Sequence, residues 1–411
     1  MKESEIEISR LNMAGTKYLV FVILSGEWEN FHRRRLIENV AYEIGEESLI
    51  VCVNRPFDLL TSLFRIKVTF KRLKSRKAKQ IQKNLWVIRP IIILHDVVSE
   101  RFNIKLIKKL NVIMLRRQIN NFIRNLLHTD SPSKFKKIVW IYSPFHISYY
   151  SIFSDALKIY ECYDEYQLNP DGSMNIDVVK KEKVILDNSD IVFVTSRRLF
   201  ESRSKLHSYV FNIGNGVDTD FFINILKNSS EPTDLKGIPH PRILYVGNLG
   251  SWLDEKMIIH SVDKLPEMQF IFLGPVSNNE LAKKLKMRKN VYFLGVREYK
   301  EVPLYIKWCD VCIAPFKLNK FTVNVNPLKV YEYLYIGKPV VATPLPELLY
   351  LNNVIFLAED ENEFIGKIRL ALCYSEDPEQ IRIRKETAEK FSLKSIAKNI
   401  INYIYSIINE S

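Results

Sequence analysis

The feature that most constrains this chain is a rhythm in its C-terminal half, where short apolar runs are each followed by a longer stretch of helical periodicity. The runs are Arg242 to Val246, Gln269 to Leu273, Val291 to Leu294, Asp310 to Ala314, Pro339 to Ala342 and Val354 to Leu357. Strands that alternate with helices are joined by crossovers, so they predict a parallel sheet with helices on both faces. The N-terminal half carries its own set: Tyr18 to Leu24, Leu49 to Val53, Leu85 to Ile88, Ile138 to Tyr142, Leu157 to Cys162 and Ile191 to Thr195. At 411 residues the chain exceeds what one hydrophobic core usually supports. The expected fold class is therefore α/β, with two Rossmann-like domains.

The stretch KNSSEPTDLKGIPHP is polar and rich in Ser and Pro, so residues 227–241 are expected to link the two units. This divides the chain into a first unit over 1–226 and a second over 242–390. A closing helix over 391–411 has more apolar faces than one domain needs and is expected to pack back across both.

The opening MKESEIEISR is polar, and the first apolar run is far shorter than the ~20 residues that span a bilayer, so neither a signal peptide nor a membrane helix is expected. Five cysteines, an odd number spread along the chain, suit a reducing cytoplasm. Cys309 and Cys312 form a C-x-x-C, but no second Cys or His pair stands at metal-ligand spacing, so they read as core residues.

Net charge is +13, and its distribution matters more than its total. Residues 60–137 hold twenty Lys or Arg against three acids, a local +17 that leaves −4 for the rest. Phe64, Phe70 and Leu73, and later Phe102, Ile104, Leu106, Ile107 and Leu110, are interleaved with these cations. Such a stretch suits an anionic membrane surface, so the protein is expected to sit at the inner face of the cell membrane. The bland alternative is a solvated basic face, and nucleic acid is disfavoured because no recognised module accompanies the charge.

The most chemically suggestive segment is NPLKVYEYLYIGKPVVATPLPEL, residues 326–348. Asn326 is a good N-cap and Pro327 suits a first helical position, so a helix should run to Ile336 and stop at Gly337. A helix amino terminus attracts phosphate, and Lys329 lies in that first turn. Glu332, three residues on, shares its face and could accept both hydroxyls of a ribose. On spacing alone, a surface ion pair between the two is equally consistent.

This segment and others in order along the chain resemble the glycosyltransferases of the GT-B fold, in the large group containing many cell-envelope polysaccharide enzymes. The matching pieces are IYECYDEY (159–166), SDIVFVTSRRLFE (189–201), NIGNGVDTDFF (212–222), ILYVGNLGSWLDEK (243–256), FIFLGP (270–275) and VYFLGV (291–296). By this resemblance Glu332 is the ribose-binding carboxylate and Lys329 a donor-phosphate contact. The turn Gly247, Asn248, Gly250 and Ser251 would offer backbone amides to the diphosphate, and Gly295 to Tyr299, with Val296, would lie against the base. Asn215 and Gly216 mark the crossing between domains. Retaining members carry two glutamates eight positions apart, whereas Asn324 occupies the first position here and Asn248 stands where Arg is expected. The pattern is nearer to the xanthan glucuronosyltransferase subgroup, which inverts.

An inverting transfer needs a base for the acceptor hydroxyl. Asp164, just past the strand ending at Cys162, is the first candidate and Glu165 the second. A helix cap or loop acid is the plain alternative for Asp164. His146 in an aromatic loop, and His32 beside Arg33, Arg34 and Arg35, are candidates for the acceptor side; packing and a solvated helix face are their bland readings. No His or Asp cluster has metal-ligand spacing, so no metal is expected to be required, and the donor is expected to be a nucleotide sugar, a UDP-sugar ahead of a GDP-sugar. The acceptor would be lipid-linked or a growing glycan. Two other readings share the fold: a nucleotide-sugar-binding partner without catalysis, and a sugar-nucleotide 2-epimerase.

Overall fold

The structure, a computed structural model, describes residues 16–60, 78–94, 105–127, 135–227 and 229–410. Phe64, Phe70, Leu73, Phe102 and Ile104, with Arg65, Lys67, Lys71, Arg72, Lys74 and Arg101 beside them, lie outside these residues.

The first sheet contains β1 (Lys17–Ile23), β2 (Leu49–Val53), β4 (Lys79–Gln82), β5 (Leu85–Ile88), β7 (Phe135–Ile141), β8 (Leu157–Cys162), β9 (Ile191–Val194) and β10 (Val210–Asn212). Their order is β10-β9-β8-β7-β1-β2-β5-β4, parallel throughout except for β4 against β5. A separate pair, β3 (Phe57–Asp58) and β6 (Ile91–Ile92), sits beside it. The central strands are buried on both sides, which is why they read as unbroken apolar runs rather than alternating ones. Helices α1 (Arg34–Glu43), α2 (Lys105–Leu127), α3 (Ile176–Asp187), α4 (Arg197–Arg203) and α5 (Thr219–Leu226) accompany this half.

The second sheet is wholly parallel, in the order β13 (Val291–Gly295), β12 (Gln269–Leu273), β11 (Arg242–Val246), β14 (Val311–Ala314), β15 (Val340–Ala342) and β16 (Phe356–Leu357). It is wrapped by α6 (Glu255–Lys264), α7 (Asn279–Lys286), α8 (Val302–Lys307), α9 (Leu328–Ile336), α10 (Glu361–Cys373) and α11 (Pro378–Glu389). Cys309 and Cys312 are both buried at the α8–β14 junction, and burial raises both thiols, so they behave as small core residues.

The polar stretch read as a linker is anchored to this second half. Leu235 and Ile238 are buried in its core, and Arg242, itself buried, donates to the Ile238, Leu235 and Trp308 carbonyls. A guanidinium collects several carbonyls at once, so a polar composition coexists here with a fixed path.

The last helix, α12 (Leu393–Glu410), packs along α1 and places Ile396, Ile400, Ile404 and Ile407 in the core of the first sheet. The chain thus crosses between the two halves twice, and the crossings touch. Val217 exchanges hydrogen bonds with Phe391 and Leu393, and a Cβ on Gly216 would fall 1.8 Å from the Phe391 carbonyl oxygen. Only glycine fits at that point. Among the described residues no helix is long and apolar enough to cross a membrane.

Candidate active site

The carboxyl ends of the two parallel sheets meet at a cavity of about 450 Å³, a size that suits a small-molecule ligand. One wall comes from the first sheet, with His32, Arg33, Tyr163 and Asp164, and the other from the second, with Trp252, Phe316 and the start of α9 including Lys329. A second cavity of about 620 Å³ shares His32, Arg33 and Leu328 with it and extends past Arg35 to Tyr299.

On the second-sheet side, α9 begins one residue later than the sequence suggests. Pro327 occupies the N-cap, and the Asn326 side chain does not cap the helix. Instead Asn326 donates to the Thr195 carbonyl at 2.9 Å and accepts from the Tyr331 hydroxyl. A left-handed Gly337 ends the helix as expected. The Lys329 ammonium donates to the Tyr245 hydroxyl at 3.0 Å and lies 4.1 Å from that ring centre and 5.3 Å from that of Phe316. An aromatic platform holds the cation without neutralising it, leaving its charge for an anion.

Glu332 goes a different way, so the two residues do not form a surface ion pair. It is 4% exposed and accepts a 2.7 Å hydrogen bond from the Tyr299 hydroxyl. Burial raises its carboxyl to about 7, against the opposing pull of Tyr299 and the Lys329 charge. Tyr299 stacks on Phe221, whose ring lies 4.5 Å from the Arg35 guanidinium. Tyr299, which lines the second cavity, therefore stands between that cavity and Glu332, which is in the lining of neither.

Across the cleft, Asp164 follows β8 and lines the 450 Å³ cavity. Burial raises its carboxyl, and the Glu165 amide donating to Oδ1 at 2.9 Å opposes this. His32 stands in both cavities with its ring edge-on to Tyr163 at 4.2 Å. His32 keeps an exposed surface, and crowding by the atoms around its ring, then the Arg33 charge, shift its pKa downward, which favours the neutral imidazole at pH 7. The arrangement sets a carboxylate and an aromatic-held ammonium on opposite walls of one cavity. A carboxylate there can take a proton while the cation opposite receives an anionic leaving group.

Residues 240–373 match the family described as Glycosyl transferases group 1. The chain is a GT-B-fold glycosyltransferase. It is 26% identical over 274 residues to a Bacillus subtilis (strain 168) protein named as a teichuronic acid biosynthesis glycosyltransferase, TuaH, covering 62% of this chain and 68% of that one. Among solved structures, it is similar to Anabaena HepE in complex with UDP and glucose, with a TM-score of 0.62, 13% identity and 94% and 99% coverage. It is also similar to the E. coli trehalose-6-phosphate structure bound with UDP-2-fluoro glucose, with a TM-score of 0.67, 11% identity and 95% and 99% coverage.

Several residues expected in the site lie elsewhere in the structure or make other contacts. Glu165 is not available as a base. It is buried and held bidentately by Arg203, with Nη1–Oε2 and Nη2–Oε1 distances of 2.8 and 2.7 Å, and Arg203 also bonds the buried Glu182. His146 is absent from the lining of the Asp164 cavity; it lines a separate one with Ser25, Arg55 and Ser143, and its ring lies edge-on to Tyr149 at 5.4 Å. Gly247 does not offer its amide to a ligand, because that N–H donates to the Leu273 carbonyl. It matters through its missing side chain, since a Cβ would lie 2.8 Å from Lys329 Nζ. Gly250 is required in turn by Trp252, which packs where its Cβ would stand. Asn248 and Ser251 follow in this turn, the Asn248 carbonyl accepting from Tyr245 and Ser251 being exposed. Val296 is 67% exposed and outside both cavity linings, and Asn324 turns its amide to the Lys320 carbonyl at 2.7 Å.

The candidate site also contains Tyr245 and Phe316, which local sequence reading does not single out, and it gives Tyr299, Arg33 and Asn215 contacts that their places in the base segment, the basic run and the domain crossing do not reveal. Tyr245 and Phe316 hold Lys329, Tyr299 covers Glu332, and Arg33 and Asn215 stand between the walls. Arg33 sits in a basic run that looks solvated, and nothing nearby in sequence reveals its buried partner.

Proposed function

We propose that this glycosyltransferase moves a sugar from a UDP-sugar to a lipid-linked or polysaccharide acceptor in cell-envelope glycan synthesis, with inversion at the anomeric carbon. The observation that carries the reading is the placement of Asp164 and Lys329 on opposite walls of one cavity. The names of TuaH and of the UDP-bound HepE structure support the process and the base. In this reading the second half holds the nucleotide and the first half the acceptor.

The step is a single displacement. Asp164 takes the proton of the acceptor hydroxyl as its oxygen bonds to the anomeric carbon, and the bond from that carbon to the diphosphate oxygen breaks. The departing diphosphate keeps the electron pair, and its charge is met by Lys329 and the amino terminus of α9. Burial suits Asp164 to this role, because a raised pKa makes a carboxylate a stronger base. His32, exposed at the same wall, is able to hydrogen-bond an acceptor hydroxyl.

A membrane-borne acceptor is supported by α2, which exposes Leu106, Leu110 and Ile113 on one face near Lys109, Arg116 and Arg117. Apolar side chains among cations match a headgroup boundary.

The test combines UDP-sugars, a lipid-linked acceptor and NMR of the product. A product with the opposite anomeric configuration to the donor supports the reading; a retained configuration refutes inversion, the outcome for which one neighbour, a trehalose-6-phosphate synthase structure, is described. Donor binding with no transfer or release in the presence of any acceptor would favour a non-catalytic nucleotide-sugar-binding protein. Sedimentation with phosphatidylglycerol and with neutral vesicles tests docking, which should need the anionic lipid and weaken in Leu106→Glu and Leu110→Glu.

A further inference from the structure

Behind the two walls of the cleft lies a polar connection that the transfer step does not use. Glu161, three residues before Asp164 on β8, has no exposed surface, and Arg33 beside it is 4% exposed. Their Nε–Oε1 distance is 2.6 Å. Arg33 Nη1 donates to Asn215 Oδ1 at 2.6 Å, and Asn215 Nδ2 donates to the Asn326 carbonyl at 2.8 Å. Asn326 is three residues before Lys329, and its own amide donates back to Thr195 on the first-sheet side. A continuous path of side chains therefore joins the strand that presents Asp164 to the turn that presents Lys329.

A buried ion pair is a poor way to gain stability. Removing two charges from water costs about as much as their attraction returns, and well-packed apolar residues often do as well or better. Glu161 bears this out, since burial raises its carboxyl despite the adjacent guanidinium. What an ion pair supplies that a leucine pair does not is direction, and this one points at Asn215. The choice of asparagine there is equally specific. Its side chain must accept from Arg33 at one end and donate to a carbonyl at the other, which an amide does and a carboxylate does not.

We propose that Glu161, Arg33 and Asn215 form a brace between the halves of the enzyme that fixes the separation of Asp164 and Lys329. These are positioning residues: they hold the base and the leaving-group cation in register across the cleft. The inference rests on the transfer reading given above, and its test separates the two.

Arg33→Ala would leave Glu161 unpaired and threatens folding, so the informative variants are at half-buried Asn215. Asn215→Ala should lower kcat by about 10- to 100-fold, the scale of a displacement of order 1 Å between reacting groups. The donor Kd should stay within about threefold and the melting temperature close to wild type. Asn215→Asp keeps the acceptor for Arg33 but lacks the donor for Asn326, so it should fall as far as the alanine variant. Arg33→Lys combined with Asn215→Ala should be little worse than the poorer single variant, because both act through one path. The pH profile should keep its position, since the base is unchanged. An unaltered kcat, additive losses, or equal losses in kcat and donor affinity with a lowered melting temperature would each overturn the brace. If wild type transfers no sugar, the function reading fails and amide exchange decides. Exchange over Leu328–Tyr331 should quicken in Asn215→Ala, and unchanged exchange there refutes the proposal.

Discussion

Glu332→Gln separates what Glu332 does for the fold from what it does for the ligand. Its carboxyl is raised from 4.5 to about 7 by burial. At about 1.4 kcal/mol per unit, ionising it in the folded protein costs on the order of 3 kcal/mol. The sign follows from proton binding. Between pH 4.5 and 7 the folded state holds a proton that the unfolded state has released, so stability from this group is full below 4.5 and is lost as pH rises through 7. A glutamine has no charge to bury and can still accept from Tyr299. The variant should match wild type near pH 4 and exceed it at pH 8 by up to about 3 kcal/mol. For a domain of 150–250 residues that is a rise of roughly 6–12 °C in melting temperature. Nucleotide binding should move the other way. Ribose hydroxyls bond a carboxylate more strongly than an amide, so wild-type affinity for UDP should increase from pH 5.5 to 8, and the glutamine variant should be weaker at pH 8 by about 1.5–3 kcal/mol and flat with pH. Thermal melts and titration calorimetry at both pH values make the comparison. Parallel stability curves for the two proteins would show that Glu332 is not a buried, perturbed acid. Equal UDP affinity at pH 8 would remove it from the nucleotide site.

Three further outcomes follow from the same geometry. Asp164→Asn should keep donor affinity and lose about 10²- to 10⁴-fold in turnover, and wild-type turnover should decline as pH falls through the raised Asp164 pKa; near-normal turnover in the variant would exclude it as the base. Lys329→Ala should weaken UDP binding by about 1.5–3 kcal/mol while leaving the fold intact, measured by calorimetry, and unchanged binding would place the diphosphate elsewhere. Glu165→Ala should destabilise the protein by about 1.5–3 kcal/mol in chemical denaturation, because two Arg203 N–H donors lose their buried acceptor while Arg203 keeps Glu182; no loss would mean that water reaches the network.

What could be read from sequence here depends on how local the physics is. The strands of the second sheet are legible to within a residue or two because both faces of a parallel sheet are covered, so each strand is a solid apolar run bounded by turns. The strand Lys79–Gln82 escapes the same reading, since KQIQ is a partly exposed edge with no apolar run to mark it. The two-residue strands at Phe57 and Ile91 are too short to carry any periodicity. Lys329 is legible for the same local reason as the strands, because its meaning comes from the helix start three residues around it. Glu165 is the opposite case. Beside Asp164 it looks like a second candidate base, and only Arg203, 38 residues away, reveals it as part of the core. Arg33 finds Asn215 across 182 positions and Asn215 finds Asn326 across 111. Charges whose partners lie that far along the chain are indistinguishable in sequence from solvated ones. In this enzyme Arg33, Asn215 and Asn326 are among the groups that join its two halves, so the chemistry on each wall of the cleft is written locally, and these contacts between the walls are written only in the fold.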